Sequence, residues 1–106
     1  MSDARVVKLE NTSRYQRLLN SDSGTRGIKA GHVVLKPGED IGEHSTAKDI
    51  EEVLVILGGK GDLVIGAGLA KKIEIGHVAY VPPNTPHNVK NTGSGDLEYV
   101  FITSKC

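Results

Sequence analysis

From Gly27 onward, Val, Ile and Leu gather in short runs that glycine, proline and asparagine interrupt. Such punctuation predicts many short strands joined by turns rather than long helices. Strands are expected at Gly27–Lys36, Glu52–Leu57, Asp62–Ile65, Leu69–Ile75, His77–Val81, His87–Asn91 and Leu97–Thr103, with a first one at Arg5–Leu9. Between Asn11 and Asn20 the chain is polar, with Tyr15, Leu18 and Leu19 at roughly helical spacing. A turn of helix opened by a Ser or Thr cap is expected there. Ser21–Gly24, Pro37-Gly38, Gly58–Gly61 and the proline-rich Pro82–Pro86 read as breakers, and Asn91–Asp96 as a hairpin-type loop. Gly59-x-Gly61 and Gly66-x-Gly68 precede no helical pattern and read as hairpin glycines, not phosphate loops. Eight or nine short strands with almost no helix predict an all-β sandwich or barrel.

Within the run Glu52–Leu57, alternate residues face the same side. With Glu52 inward, Leu54 and Ile56 also point inward, and Val53, Val55 and Leu57 face another sheet or a partner. Apolar residues on both faces predict a strand covered on both sides.

The chain has 106 residues, enough for one domain with a modest core. Lys+Arg and Asp+Glu both number 13, so there is no basic footprint for nucleic acid and no polybasic stretch for a membrane. No apolar run is long enough to span a bilayer, and the first ten residues lack the apolar core of a signal peptide. The Asn11-Thr12-Ser13 triplet is then a chance match to a glycosylation acceptor. Cys106 is the sole cysteine, which excludes an intrachain disulfide and fits a reducing, cytoplasmic setting.

Two stretches carry candidate chemistry. In Gly42–Val53 a histidine and two glutamates flank a polar turn. In Gly76–Asn91 a strand meets a turn stiffened by prolines, and His87 follows directly. Prolines fix φ, so His87 is positioned before anything binds. Asn84 sits where this turn needs positive φ, which Asn tolerates better than most residues.

Gly38, His44, Glu52 and Gly59, followed by Gly76, Pro82, His87 and Asn91, resemble the two motifs of the cupin superfamily. Asn84 replaces a motif glycine, and Thr46 stands where the second motif histidine would be. If Gly58 were the closing glycine, Glu51 would replace Glu52; the form "EEVLVILGGKG" favours Glu52. The motifs cover Gly38–Asn91, about half of the chain. The resemblance implies a single cupin domain over residues 1–106, an antiparallel double-stranded β-helix (a jelly roll). It also implies a metal site of His44, Glu52 and His87. A carboxylate at the mouth of an apolar face is costly unless paired or coordinated. Two imidazoles and one carboxylate suit Fe(II) or Mn(II) first, then Ni, Zn or Co, and leave positions for a ligand. The competing expectation is a vestigial histidine pair with solvated glutamates.

His32 is expected to be a packed or edge residue rather than a fourth ligand, His77 to be exposed, and Tyr80, Tyr99 and Phe101 to serve the core. The resemblance implies an enzyme acting on a small oxygen-bearing metabolite, of dioxygenase or decarboxylase type. Catalytic residues beyond the glutamate pair are not identified. Arg5, Arg14, Arg17 and Arg26 all precede the first motif, which disfavours a sugar-phosphate isomerase, although Lys36 or Arg26 could hold an anion. The alternative is a non-catalytic sugar or metabolite binder with a degenerate metal site, favoured by Thr46. The expected partners are a small-molecule ligand and a second copy of the chain, since strands apolar on both faces need covering.

Overall fold

The computed structural model describes residues 4–12 and 14–106. Ser13, the last residue of the glycosylation triplet and one candidate helix cap, lies outside the described residues, as does the very start of the chain. Among the described residues nine strands form: β1 (Tyr15–Leu19), β2 (Ile28–Leu35), β3 (His44–Ser45), β4 (Ile50–Gly58), β5 (Lys60–Ile65), β6 (Leu69–Glu74), β7 (Val78–Val81), β8 (Pro86–Lys90) and β9 (Leu97–Lys105). They build a five-stranded sheet in the order β1-β2-β9-β4-β7 and a four-stranded sheet in the order β3-β8-β5-β6. Every pairing between strands is antiparallel. This is the all-β, antiparallel double-stranded β-helix expected. Among the described residues the only helix is a 3-10 turn at Ser21–Ser23, capped by Asn20, and none could cross a membrane.

The inner face of the large sheet is layered along its strands. Residues of β2, β9 and β4 lie in register as Val33–Tyr99–Ile56, then Gly31–Phe101–Leu54, then Lys29–Thr103–Glu52. The first layer joins Leu35, Leu63, Ile73, Val81, Val89 and Leu97 in the core. Burying each such aliphatic side chain contributes roughly 1.5–3 kcal/mol. The last layer is polar. One end of the molecule is therefore closed by hydrocarbon, and the other opens on charged and hydroxyl groups. In β4 the alternation is as expected: Glu52, Leu54 and Ile56 are buried, Val53 and Val55 half-buried, and Leu57 is exposed.

Four expectations need correction. Arg5–Leu9 is not a strand. No neighbouring strand takes it, and its nearest backbone bonds go to a side chain. Gln16 Nε2 donates to the Lys8 carbonyl at 3.1 Å, and the Glu10 amide donates to Gln16 Oε1 at 2.9 Å. The Asn11–Asn20 segment holds β1 instead of a helical turn. Its backbone pairs with β2, and Tyr15 stacks on Phe101 with ring centroids 6.2 Å apart. Non-local pairing thus outweighs the apparent helical spacing. The loop Asn91–Asp96 links β8 to β9, and Gly59 links β4 to β5; both pass from one sheet to the other and close no hairpin. Gly66 and Gly68 do serve the β5–β6 hairpin. Tyr80 points off the outer face and is 55% exposed, so it is not a core residue, whereas Tyr99 is.

Candidate metal centre

The crossing at Gly59 fixes which glutamate enters the barrel. Gly59 has φ +79°, and a β-carbon there would run into the Asp96 carbonyl oxygen. With Gly59 as the turning residue, Glu52 faces inward and is 8% exposed. Glu51 faces outward, where the Tyr80 hydroxyl donates to its carboxylate at 2.9 Å.

His44 and His87 are brought together by strand register. They sit directly opposite each other in the β3–β8 ladder. Facing residues on one side of a sheet have neighbouring side chains, and these two rings lie 4.2 Å apart at 55°. Each ring is oriented by a carbonyl two residues before it. His44 Nδ1 is 2.9 Å from the Gly42 carbonyl, and His87 Nδ1 is 2.9 Å from the Thr85 carbonyl. An Nδ1–H that donates to a carbonyl leaves Nε2 as the free lone pair, the tautomer a metal requires.

One candidate ligand atom from each of His44, Glu52 and His87 lies within 4.8 Å of the others. Two atoms bonded to one ion at ordinary zinc or iron distances lie no more than about 4.2 Å apart, so small side-chain shifts close the set on an ion. The Nε2 of His87 is buried and has no hydrogen-bond partner. It lies 3.3 Å from Glu52 Oε1, near enough for charge attraction but without hydrogen-bond alignment. A buried imidazole nitrogen left unbonded is costly, and an ion at this point would satisfy it. The residues therefore fit a divalent metal. Burial is the largest influence on the His87 pKa and lowers it. The Glu52 carboxylate and the Thr85 carbonyl together outweigh burial and hold the pKa above the ordinary histidine value.

Thr46 is buried on the same side as His44, but its hydroxyl is already engaged. It donates to the Pro82 carbonyl at 2.7 Å and accepts from the Thr85 amide at 3.0 Å. Both partners belong to the turn that presents His87. Asn84 within that turn has φ +56°, as expected, and its amide donates to Ala47 at 3.1 Å. Thr46 is thus a staple between the two motifs rather than a ligand. Sequence reasoning missed this, and it missed Asp40. The Asp40 carboxylate accepts from the Gly42 amide at 2.8 Å and so helps set the carbonyl that orients His44. Asn91, the last motif residue, donates to the Leu35 and Gly95 carbonyls and accepts from the Gly93 amide. It pins the closed end of the barrel.

The other histidines stand apart from the centre. His77 is exposed beside Glu74. His32 is packed on the outer face between Gln16 and Glu98, at 3.1 and 2.6 Å. The centre opens into a cavity of 510 Å³ whose wall includes His44, Glu52, Ile50, Phe101 and Thr103.

Among curated proteins none matches the chain. A solved rmlc-like cupin family protein with a double-stranded β-helix fold, from Methanocaldococcus jannaschii, superposes with TM-score 0.79 at 22% identity. It covers 96% of this chain and 91% of its own. A predicted oxalate decarboxylase from Thermotoga maritima gives TM-score 0.78 at 25% identity, covering 87% and 79%. A sugar phosphate isomerase of the cupin superfamily from Silicibacter pomeroyi gives 0.70 at 18%, covering 87% and 60%. The sequence model of the cupin domain matches residues 31–103, a span that holds all three residues of the cluster. The chain belongs to the cupin family.

Proposed function

We propose that the chain is a metal-dependent cupin enzyme in which His44, Glu52 and His87 hold a divalent ion, Fe(II) or Mn(II) foremost. Its substrate is a small oxygen-bearing metabolite, and the reaction is of dioxygenase or decarboxylase type. The observation that carries this reading is the meeting of three ligand atoms within 4.8 Å, with both Nδ1 positions occupied by backbone carbonyls. A divalent ion in such a set supplies Lewis acidity toward oxygen atoms of a chelating molecule. The chain's own residues orient the donors, and Phe101 and Ile50 offer apolar wall beside them. The similarity to a predicted oxalate decarboxylase supports carboxylate chemistry over sugar chemistry.

A second reading, a non-catalytic metabolite binder, is favoured by Thr46, whose engaged hydroxyl leaves the set at three donors. Metal content after reconstitution with Fe(II), Mn(II), Ni(II), Co(II) and Zn(II) decides between them. The enzyme reading expects one ion per chain, lost in both His44→Ala and His87→Ala. Failure of the wild-type protein to take up any of the five ions supports the binder instead.

We also propose a homodimer through the outer face of the five-stranded sheet. Ile28 of β2, Ile102 of β9, and Val78 and Tyr80 of β7 are exposed there, which is the kind of apolar patch that marks an association surface.

A further inference from the structure

The layered inner face ends on Lys29–Thr103–Glu52, and this places a cation in the same row as the metal-site carboxylate. Two strand spacings separate the Lys29 and Glu52 backbones, about 10 Å. The cavity wall also carries Arg26 and Lys105. Lys105 shares the inner face of β9 with Thr103 and Phe101, and Arg26 comes from the loop before β2. Among the described residues Glu52 is the only carboxylate on that wall, and it faces His87.

Among the described residues, Lys29, Arg26 and Lys105 have no ion-pair partner. Three like charges around one cavity repel one another, and the one carboxylate in the wall, Glu52, faces His87 instead. The chain as a whole carries no net charge, so this concentration does not follow from a basic composition. A cavity of 510 Å³ is of the size that holds a small molecule rather than a polymer.

We infer that the cavity takes a small organic anion, bound with one end at the His44–Glu52–His87 cluster and its carboxylate or phosphate at Lys29, Arg26 and Lys105. This deepens the enzyme reading by naming the substrate class, and it rests on that reading for the metal end alone. Lys29 supplies a point charge in the row of Glu52. Arg26 adds a planar fork that matches either head group.

Calorimetric titration of metal-loaded and metal-free protein with malate, glycerol 3-phosphate and neutral erythritol tests this, with metal content measured on each sample. At least one anionic probe binds ten times more tightly than erythritol, and raised salt weakens it. Lys29→Gln and Arg26→Gln each weaken that probe by about tenfold while retaining metal, as expected for loss of a charge-assisted bond. The stronger of the two anions identifies the head group. Equal binding of anions and erythritol, or anion binding unchanged in both variants, overturns the inference. Protein that takes up no metal yet binds anions through Lys29 sinks the enzyme reading and leaves this one standing.

Discussion

Thr46 hydrogen-bonds to both ends of the turn that presents His87, so its hydroxyl helps place a proposed ligand that it does not touch. Thr46→Val keeps the shape but strands the Pro82 carbonyl and the Thr85 amide. Unpaired groups of this kind cost about 1–3 kcal/mol each when buried. Pro82 is exposed and Thr85 half-buried, so the two together should cost only about 1–3 kcal/mol in urea denaturation, and metal affinity should fall although the three proposed ligands remain. Unchanged stability would show that water replaces the hydroxyl without loss. Thr46→His would add the missing donor but remove both bonds. His32 shows a different logic. Both its nitrogens face oxygens, Gln16 Oε1 and Glu98 Oε2, and Gln16 also anchors the segment around Lys8 and Glu10. Its packed position was expected, but its partnership was not. Nothing in a sequence pattern says which residue 66 positions away will meet a ring.

The motif glycines and Asn84 were legible because the turns they make are local: backbone sign depends on the residue in place. Glu52 over Glu51 was legible for the same reason, since alternation within β4 is a property of one strand. β1 was not legible. Tyr15, Leu18 and Leu19 carry the same spacing in either state, and only the presence of β2 decides. The packing of β1 on β2 depends on Gly31. A β-carbon there would lie 2.5–2.6 Å from the rings of Phe101 and Tyr15. Gly31→Ala should therefore push the Tyr15–Phe101 stack off its seat and lower stability by about 1–3 kcal/mol, read by thermal melting. A neutral result would mean that the stacked pair moves freely. Because Phe101 also lines the cavity, anion binding should weaken alongside.

For the whole molecule, the expectation that Val53, Val55 and Leu57 face another sheet or a partner is met in direction alone. They lie on an outer face where Val78, Tyr80 and Ile102 are exposed beside them. Covering that face with a second copy predicts a particle of twice the 11.3 kDa chain mass in light scattering. Val78→Asp places a charge on the β7 edge of the patch and should give the single-chain mass without unfolding, because Val78 is 68% exposed in the chain alone. A wild-type protein that stays at the single-chain mass at high concentration removes the dimer proposal. Of the two residues named from the chain as able to hold an anion, Arg26 lines the cavity and Lys36 does not; Lys29 and Lys105 were not visible along the chain. Only the order β2-β9-β4 carries Lys29 to the row of Glu52.

That basic rim belongs to a chain with no net charge, so no overall attraction of one sign extends far into solution. At physiological ionic strength fields fade over about 8 Å, less than the breadth of a domain. A passing acid is therefore not drawn in from a distance. It arrives by ordinary diffusion and is distinguished from neutral molecules by how long it stays, so added salt should shorten its residence far more than it slows its arrival.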